Sequence, residues 1–268
     1  MDLSWIWPAA LMGVVEGLTE FLPVSSTGHL ILLGEIIGFQ GPPGKAFEIA
    51  IQSGAILAVL WAYRARFAAL ATRAWVPGSL DRIYAANILL AFLPALVIGA
   101  TLHGPITRLL FNPYVVCAAL IAGGIAIIAI ERWRPEPSIH RVEEIGWLAA
   151  LLIGLGQALA MIPGTSRSGA TIIAALLVGA DRRTAAEFSF VLAVPTMLAA
   201  TAYALWKARA ELDAGDLGQI VVGTLAAFLV ALAVVRVVLA VISRIGFTPF
   251  GWYRIALGGG MLAWLALR

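Results

Sequence analysis

Six long apolar stretches dominate this 268-residue chain. Each is about 20 residues long, which is the length that an α-helix needs to cross the hydrocarbon core of a bilayer. The stretches lie near 46–63, 83–102, 113–131, 186–206, 217–241 and 249–267. Only 12% of the residues are charged, whereas soluble domains are about 25% charged. The chain is therefore predicted to be an all-α polytopic membrane protein with six transmembrane helices. No stripe of alternating basic and aromatic residues favours a nucleic-acid partner.

Two further regions are apolar but interrupted. Residues 5–39 hold two short apolar runs separated by the polar stretch 16–29, and residues 145–180 hold two runs on either side of PGTSRSG. Each run is too short to cross a bilayer by itself. Irregular backbone at membrane depth is tolerated only where protein or a water-filled cavity satisfies it. Each region is therefore predicted to be a re-entrant helical hairpin that enters and leaves the membrane by one face.

The two halves of the chain resemble each other. GVVEGLTEFLPVSS at 13–26 matches GLGQALAMIPGTSR at 154–167, and three further matches follow in the same order with similar spacing. The chain is therefore predicted to be one membrane domain made of two repeats, 1–135 and 141–268. Each repeat has one hairpin followed by three spans, and because three is odd the second repeat is inverted. Inverted repeats place a functional site near the midplane of the membrane, where the broken elements meet.

Positive charges predict the orientation, because loops rich in arginine and lysine stay inside. If the N-terminus lies outside, the inner loops carry Arg64, Arg66, Arg73, Arg82, Arg132, Arg134, Arg141, Arg182, Arg183 and Arg244. The outer loops then carry the shorter set Lys45, Arg108, Lys207, Arg209 and Arg268. Both termini are therefore predicted to lie outside the plasma membrane.

The first polar break begins with two glutamates, Glu16 and Glu20. They are four residues apart, so a helix places them on one face, where like charges repel. Within a membrane such a pair is tolerable if a cation bridges it, if one carboxyl stays protonated, or if water reaches it. Gly13 and Gly17 lie on the same helix and favour close packing against a neighbour. Function is therefore a better explanation for the pair than two surface glutamates.

The polar break continues as PVSSTGH, in which Pro23 ends the helix. Three hydroxyl side chains follow, namely Ser25, Ser26 and Thr27, and then His29. One hydroxyl at the start of a helix is an ordinary cap, but three hydroxyls with a histidine and two upstream acids indicate more. An unassisted serine is a weak nucleophile that needs an adjacent base. Ser26 is the preferred nucleophile and His29 its base, although water on a metal could attack instead, with Ser26 only binding phosphate.

The second polar break, PGTSRSGAT, contains Arg167, a lone charge in an apolar region. An arginine at membrane depth needs an anionic partner, and its planar fork fits phosphate oxygens bidentately. A structural ion pair with Glu16 or Glu20 is compatible with that role. The hydroxyls of Ser166, Ser168 and Thr171 would help to bind phosphate, together with those of Ser25 and Thr27 in the first break.

Together the two breaks supply acids for a metal, a nucleophile with a base, and a phosphate clamp. This combination favours phosphoryl chemistry on a lipid. The alternative is a transporter or flippase of a phosphorylated lipid, since inverted repeats and broken helices are also typical of transporters.

EGLTEFLPVSSTGH and PGTSRSGAT resemble the two signature motifs of the bacterial undecaprenyl-diphosphate phosphatases, the bacitracin-resistance family. The similarity extends over nearly the whole chain and differs from the expected pattern at Thr165, where an aromatic residue is usual. It implies hydrolysis of undecaprenyl diphosphate to the monophosphate carrier lipid of cell-wall synthesis. It also implies an active site at the outer face of the bacterial plasma membrane and a divalent cation, Mg²⁺ or Ca²⁺.

Carried over residue by residue, the resemblance makes Glu16 and Glu20 the acidic motif and the metal ligands. It makes Ser26 and His29 the serine–histidine pair, and Arg167 the arginine of the second motif.

Overall fold

The computed structural model describes residues 4–39, 41–42 and 45–267. The regular structure in these ranges is helical, apart from an isolated parallel bridge between Ile139 and Ala180. The predicted all-α class is therefore confirmed. Residues 1–3 and Arg268, which form the outer ends of the two predicted repeats, lie outside the described residues.

Among the described residues, the first half of the chain contains seven helices: α1 Ile6–Thr19, α2 Ser26–Ile37, α3 Ala46–Ala50, α4 Gln52–Ala62, α5 Arg64–Arg73, α6 Leu80–Leu110 and α7 Pro113–Trp133. The second half contains five: α8 Trp147–Ala158, α9 Arg167–Leu177, α10 Arg182–Ala208, α11 Ala214–Ile245 and α12 Thr248–Ala266. Single 3₁₀ turns lie at Val142–Glu144 and Leu159–Met161.

Four of the described helices are long and apolar enough to cross a membrane, namely α6 over Leu80–Leu102, α7, α10 and α11. The number rises to five if α3 and α4 are joined with α5 as one span, although the chain bends by 76° before α5. The bend has a physical reason, because α5 carries three arginines and buries none of its residues. Helices lie at all six predicted positions, but α12 is not among the helices long and apolar enough to count as spans.

Two pairs of short apolar helices lie where the sequence predicts hairpins. Helices α1 and α2 pack against each other, as do α8 and α9. Ser25 caps α2 by accepting a hydrogen bond from the Gly28 N–H at 3.2 Å, and Ser166 caps α9 through Gly169 at 3.0 Å. Both serines have positive φ, 70° and 74°, which is uncommon for residues other than glycine. The two helix starts therefore share one unusual backbone geometry.

Small residues bring the hairpins close to the long helices. A side chain at Gly13 would overlap the Gly223 carbonyl of α11, and a Cβ on Gly17 would lie 2.6 Å from the Ala227 oxygen. The close packing expected at these two glycines is therefore present. Helices α7 and α12 approach in the same way, since a Cβ on Gly124 would lie 2.6 Å from the Gly251 oxygen. These close backbone contacts hold α1 against α11 and α7 against α12.

Candidate active site

The Glu20 carboxylate joins the two polar breaks. Its Oε1 accepts a hydrogen bond from Nη2 of Arg167 at 2.8 Å, and its Oε2 accepts one from the Ser26 hydroxyl at 2.5 Å. Glu20 lies just after α1, Ser26 begins α2, and Arg167 begins α9. Glu20 is 4% exposed and Ser26 is 5% exposed. The structure thus brings together three predicted site residues, and the ion pair expected for Arg167 forms with Glu20.

Arg167 is held in place by a second set of partners on α10. Its Nη1 donates to the Ser189 carbonyl at 2.9 Å and to the Ser189 hydroxyl at 3.2 Å. The hydroxyl of Thr171 lies 2.6 Å from that of Ser189. Thr171 thus helps to fix the Ser189 hydroxyl that accepts a hydrogen bond from Arg167. The Nε of Arg167 is buried and has no hydrogen-bond partner among the described residues.

Ser168 connects the two breaks directly. Its hydroxyl donates to the Leu22 carbonyl at 2.9 Å and lies 3.1 Å from the Ser166 hydroxyl. Ser168 is 1% exposed. The contact explains how two loops more than a hundred residues apart in sequence keep a fixed distance. Ser168, predicted to bind phosphate, therefore ties one loop to the other.

Glu16 lies beneath this cluster and is fully buried. It interacts electrostatically with Glu20, Ser26 and Arg167. Both of its carboxylate oxygens are without a hydrogen-bond partner among the described residues. Two carboxylates thus face one guanidinium, so the cluster would carry an excess negative charge if both were ionised. Unpartnered oxygen atoms in such a place fit either a proton or a hard cation, which prefers oxygen ligands.

His29 forms no hydrogen bond with Ser26 among the described residues, so the structure does not contain the predicted serine–histidine pair and its role as base stays a prediction. Its Nδ1 lies 2.8 Å from the Ser25 carbonyl, and its Nε2 lies 2.7 Å from the Tyr253 hydroxyl. A carbonyl can only accept, so Nδ1 carries a proton. The rings of His29 and Tyr253 also stack, with centroids 5.6 Å apart. Both nitrogens therefore have partners other than Ser26, and the carboxylate of Glu20 accepts the hydrogen bond from Ser26 that a base would accept.

A cavity of about 300 Å³ opens above the cluster. Its polar end is lined by six of the predicted site residues: Glu20, Ser25, Ser26, Thr27, Ser166 and Arg167. Its remaining wall is mostly apolar and comes from α6, α10 and the end of the second hairpin, including Phe92, Leu96, Met161 and Met197. The cavity therefore combines polar groups at one end with a mostly apolar wall. A lipid with a charged headgroup requires both.

Several polar residues of this cavity were not predicted. Glu48 and Gln52 come from the broken α3–α4 segment, and Gln157 bonds to Thr196 at 3.1 Å. In the sequence, each of these is a polar residue within an apolar run. Such a residue alone does not show whether its side chain points into a cavity. Ser189 and Arg254 were missed for the same reason.

A second cavity, of about 410 Å³, lies among the loops next to α5 and α10. It is lined by arginines, but each has an acidic partner. Arg66 lies 2.5 Å and Arg141 lies 3.5 Å from Glu143, while Arg183 lies 2.9 Å from Glu187. Burial raises the pKa of Glu143, but hydrogen bonds from its own backbone N–H and from Arg66 outweigh burial and leave it below its usual range. Arg167 is also paired with a carboxylate, but it lies in the first cavity beside a mostly apolar wall, which the second cavity lacks.

Comparison with known proteins gives consistent matches along the chain. The family model described as "Bacitracin resistance protein BacA" matches residues 9–260. An undecaprenyl-diphosphatase of Sphingopyxis alaskensis is 55% identical over 258 residues, covering 96% of this chain and 97% of that protein. Undecaprenyl-diphosphatase 2 of Paramagnetospirillum magneticum is 51% identical, covering 97% and 99%. An undecaprenyl-diphosphatase of Rhizorhabdus wittichii is also 51% identical and covers 100% of both chains.

Proposed function

Because the chain belongs to the bacitracin resistance protein BacA family, we propose that it is a membrane phosphatase acting on undecaprenyl diphosphate. It hydrolyses this lipid to undecaprenyl phosphate and inorganic phosphate. The reaction recycles the carrier lipid of cell-wall synthesis and gives resistance to bacitracin. The relatives are named for this activity, and the site has the groups that the reaction requires.

One observation carries the proposal, namely that Glu20 accepts hydrogen bonds from both Ser26 and Arg167. A hydroxyl bonded to a buried carboxylate is prepared to lose its proton. A guanidinium beside it stabilises the negative charge that develops on a transferring phosphoryl group. The unpartnered Nε of Arg167 leaves a donor for a phosphate oxygen.

In the first step, the Ser26 oxygen attacks the terminal phosphorus while its proton passes to Glu20. The anhydride bond breaks, and undecaprenyl phosphate leaves as an anion that needs no proton. Arg167 stabilises the negative charge that develops on the phosphoryl oxygens. The loop hydroxyls at the polar end of the cavity orient the headgroup. The apolar wall holds the beginning of the polyprenyl chain.

In the second step, water attacks the phosphorus of the phosphoserine. The bond to Ser26 breaks, Glu20 returns its proton to the Ser26 oxygen, and both protons of the water leave with inorganic phosphate. His29 takes no part in proton transfer in this scheme. It fixes the start of α2 by bonding to Ser25 and Tyr253.

Glu16 and Glu20 would hold a divalent cation, Mg²⁺ or Ca²⁺. Their oxygens match the ligand preference of these ions, and Mg²⁺ is usually bound by one or two carboxylates together with substrate phosphates. No group of three acidic, histidine or cysteine side chains suited to a metal occurs in the described part of the chain. When bound, the cation would neutralise charge between the acids and the diphosphate.

We expect Glu16→Gln to raise the concentration of Mg²⁺ or Ca²⁺ needed for half-maximal activity by about tenfold or more, because one of two carboxylate ligands is lost. Titration of phosphate release against the cation measures this. Glu35→Gln is the matched control, since Glu35 is exposed on α2 of the same hairpin. An unchanged cation requirement in Glu16→Gln would remove Glu16 from the metal site.

We also propose that the six predicted spans and two re-entrant hairpins form the membrane arrangement, with both termini outside and the active site open to the outer face. Helices at all six positions and the shared cap geometry of Ser25 and Ser166 support this arrangement.

Phosphate release by the purified protein in detergent tests the function. A phosphatase releases inorganic phosphate from undecaprenyl diphosphate without a second compartment, whereas a transporter of the lipid leaves its substrate intact. We expect release that depends on the divalent cation. Protein that binds the lipid but releases no phosphate under any cation would contradict the proposal and favour the transporter.

A further inference from the structure

Arg254 on α12 is a buried charged side chain near the site, as Glu16 is. Its side chain is fully buried, and it forms no ion pair with a carboxylate in the described ranges. A buried cation without an anionic partner is costly, and inside a membrane such residues mark function. Within the described part of the chain, its guanidinium instead donates to backbone carbonyl groups.

The acceptors of Arg254 come from both polar breaks and from the neighbouring helix. Nη1 donates to the Pro23 carbonyl at 3.2 Å and to the Thr165 carbonyl at 2.9 Å. Nη2 donates to the Gly164 carbonyl at 2.9 Å. The remaining bonds go to α7, from Nη2 to Ala119 at 3.1 Å and from Nε to Leu120 at 3.3 Å. One rigid fork thus joins two loops that belong to different halves of the chain.

These loop carbonyls occupy matching positions. The alignment of 13–26 with 154–167 pairs Pro23 with Gly164. Each carbonyl lies two residues before a serine with positive φ, Ser25 or Ser166. Such a backbone conformation is strained in a residue other than glycine and persists only where its surroundings enforce it. The bonds from Arg254 lie where that enforcement is needed.

We propose that Arg254 is a positioning residue for catalysis, which holds the two loops in the register that places Ser26, Glu20 and Arg167 together. The inference rests on the proposed phosphatase function. Arg254 does not touch the reacting atoms in this scheme. The hydrogen bonds from Arg254 to the loop carbonyl groups fix the two loops. The site residues of the same loops line the cavity. Lysine cannot replace it, because an ammonium lacks the planar fork that bonds several separate acceptors at once.

Arg254→Lys is expected to lower kcat per folded molecule by about 100-fold, the effect of moving reacting groups by about 1 Å. Folding is measured separately by size-exclusion chromatography in detergent. A residue needed only for folding would lower the folded amount and leave kcat per folded molecule unchanged. Arg254→Lys within about threefold of wild type per folded molecule would overturn the proposal.

Gly123→Ala tests the same contact without altering Arg254. A Cβ on Gly123 of α7 would overlap Nη2 of Arg254, so the guanidinium must shift. We expect kcat to fall by about tenfold. Gly259→Ala and Gly260→Ala are matched controls on α12, because nothing lies within 4 Å of a Cβ at either position. Both should keep wild-type kcat, and a Gly123→Ala variant that behaves as they do would contradict the proposal.

Hydrogen–deuterium exchange gives a readout that does not depend on activity. In Arg254→Lys and Gly123→Ala, backbone amides of residues 24–28 and 165–169 should exchange faster than in wild type and in the Gly259→Ala control. Unchanged exchange in both variants would overturn the positioning role even if the wild type releases phosphate. Faster exchange with no phosphate release by wild type would instead keep the positioning role and reject the phosphatase.

Discussion

Glu20→Gln is expected to lower kcat by about 1,000-fold, the largest loss predicted for this protein. The amide cannot take the proton of Ser26, and general-base catalysis contributes roughly 100- to 10,000-fold. The change also removes the charge that Arg167 pairs with at 2.8 Å, so the guanidinium loses its anchor. Both effects act on the same step, because the carboxylate joins nucleophile and phosphate clamp.

Steady-state phosphate release in detergent measures the loss, with Glu35→Gln as the control for removing a glutamate from the same hairpin. A Glu20→Gln variant that is folded and keeps more than about a tenth of wild-type kcat would show that another group takes the proton.

Arg167→Lys is expected to reduce kcat/KM by about 100-fold or more. Lysine keeps the positive charge, but it cannot bond Glu20, Ser189 and a phosphate oxygen in the fixed directions that the guanidinium uses. Loss of one preorganised donor to developing charge typically costs about 100- to 1,000-fold. We expect a raised KM as well as a lowered kcat, because the same fork binds the diphosphate before reaction.

Arg236→Lys is the matched control, since Arg236 is exposed on α11. The decisive comparison is between the two lysine variants at equal folded concentration. If Arg167→Lys stays within about threefold of its control, recognition of phosphate by the Arg167 guanidinium is wrong.

The sequence allowed the main parts of the site to be predicted because they contrast with their surroundings. Glu20 and Arg167 are charges in a chain that must place most of its surface in hydrocarbon, and such charges need a partner. The similarity between 13–26 and 154–167 placed their loops in matching positions. The ion pair at 2.8 Å is the contact that this reasoning leads to.

The role of His29 could not be predicted, because its partner is remote. Spacing places His29 three residues after Ser26 on a helix and makes contact plausible, but Tyr253, which is 224 residues away in sequence, holds the ring on another side. Side-chain direction at a helix start depends on the packing of neighbouring helices, which single-sequence periodicity does not describe. Arg254 was visible as a lone cation in an apolar run, but its acceptors are backbone carbonyls and leave no mark in the sequence.

The break within the first predicted span could not be predicted either. Apolar length predicted a single helix over 46–63, whereas the structure divides it into α3 and α4 at Ile51. The break turns Glu48 and Gln52 toward the cavity. Hydropathy records how apolar a segment is, but it does not record where a backbone breaks to bring polar groups to a site.

The central claim is that the diphosphate binds where the two hairpin loops meet. An experimental structure of the protein with a methylene diphosphonate analogue of the lipid tests it most directly. The account predicts the terminal phosphonate within hydrogen-bond distance of Arg167 and the Ser26 hydroxyl, with the polyprenyl chain along Phe92 and Leu96. A headgroup bound in the second cavity among Arg66, Arg141 and Arg183, with the Glu20–Arg167 cluster unchanged, would contradict it.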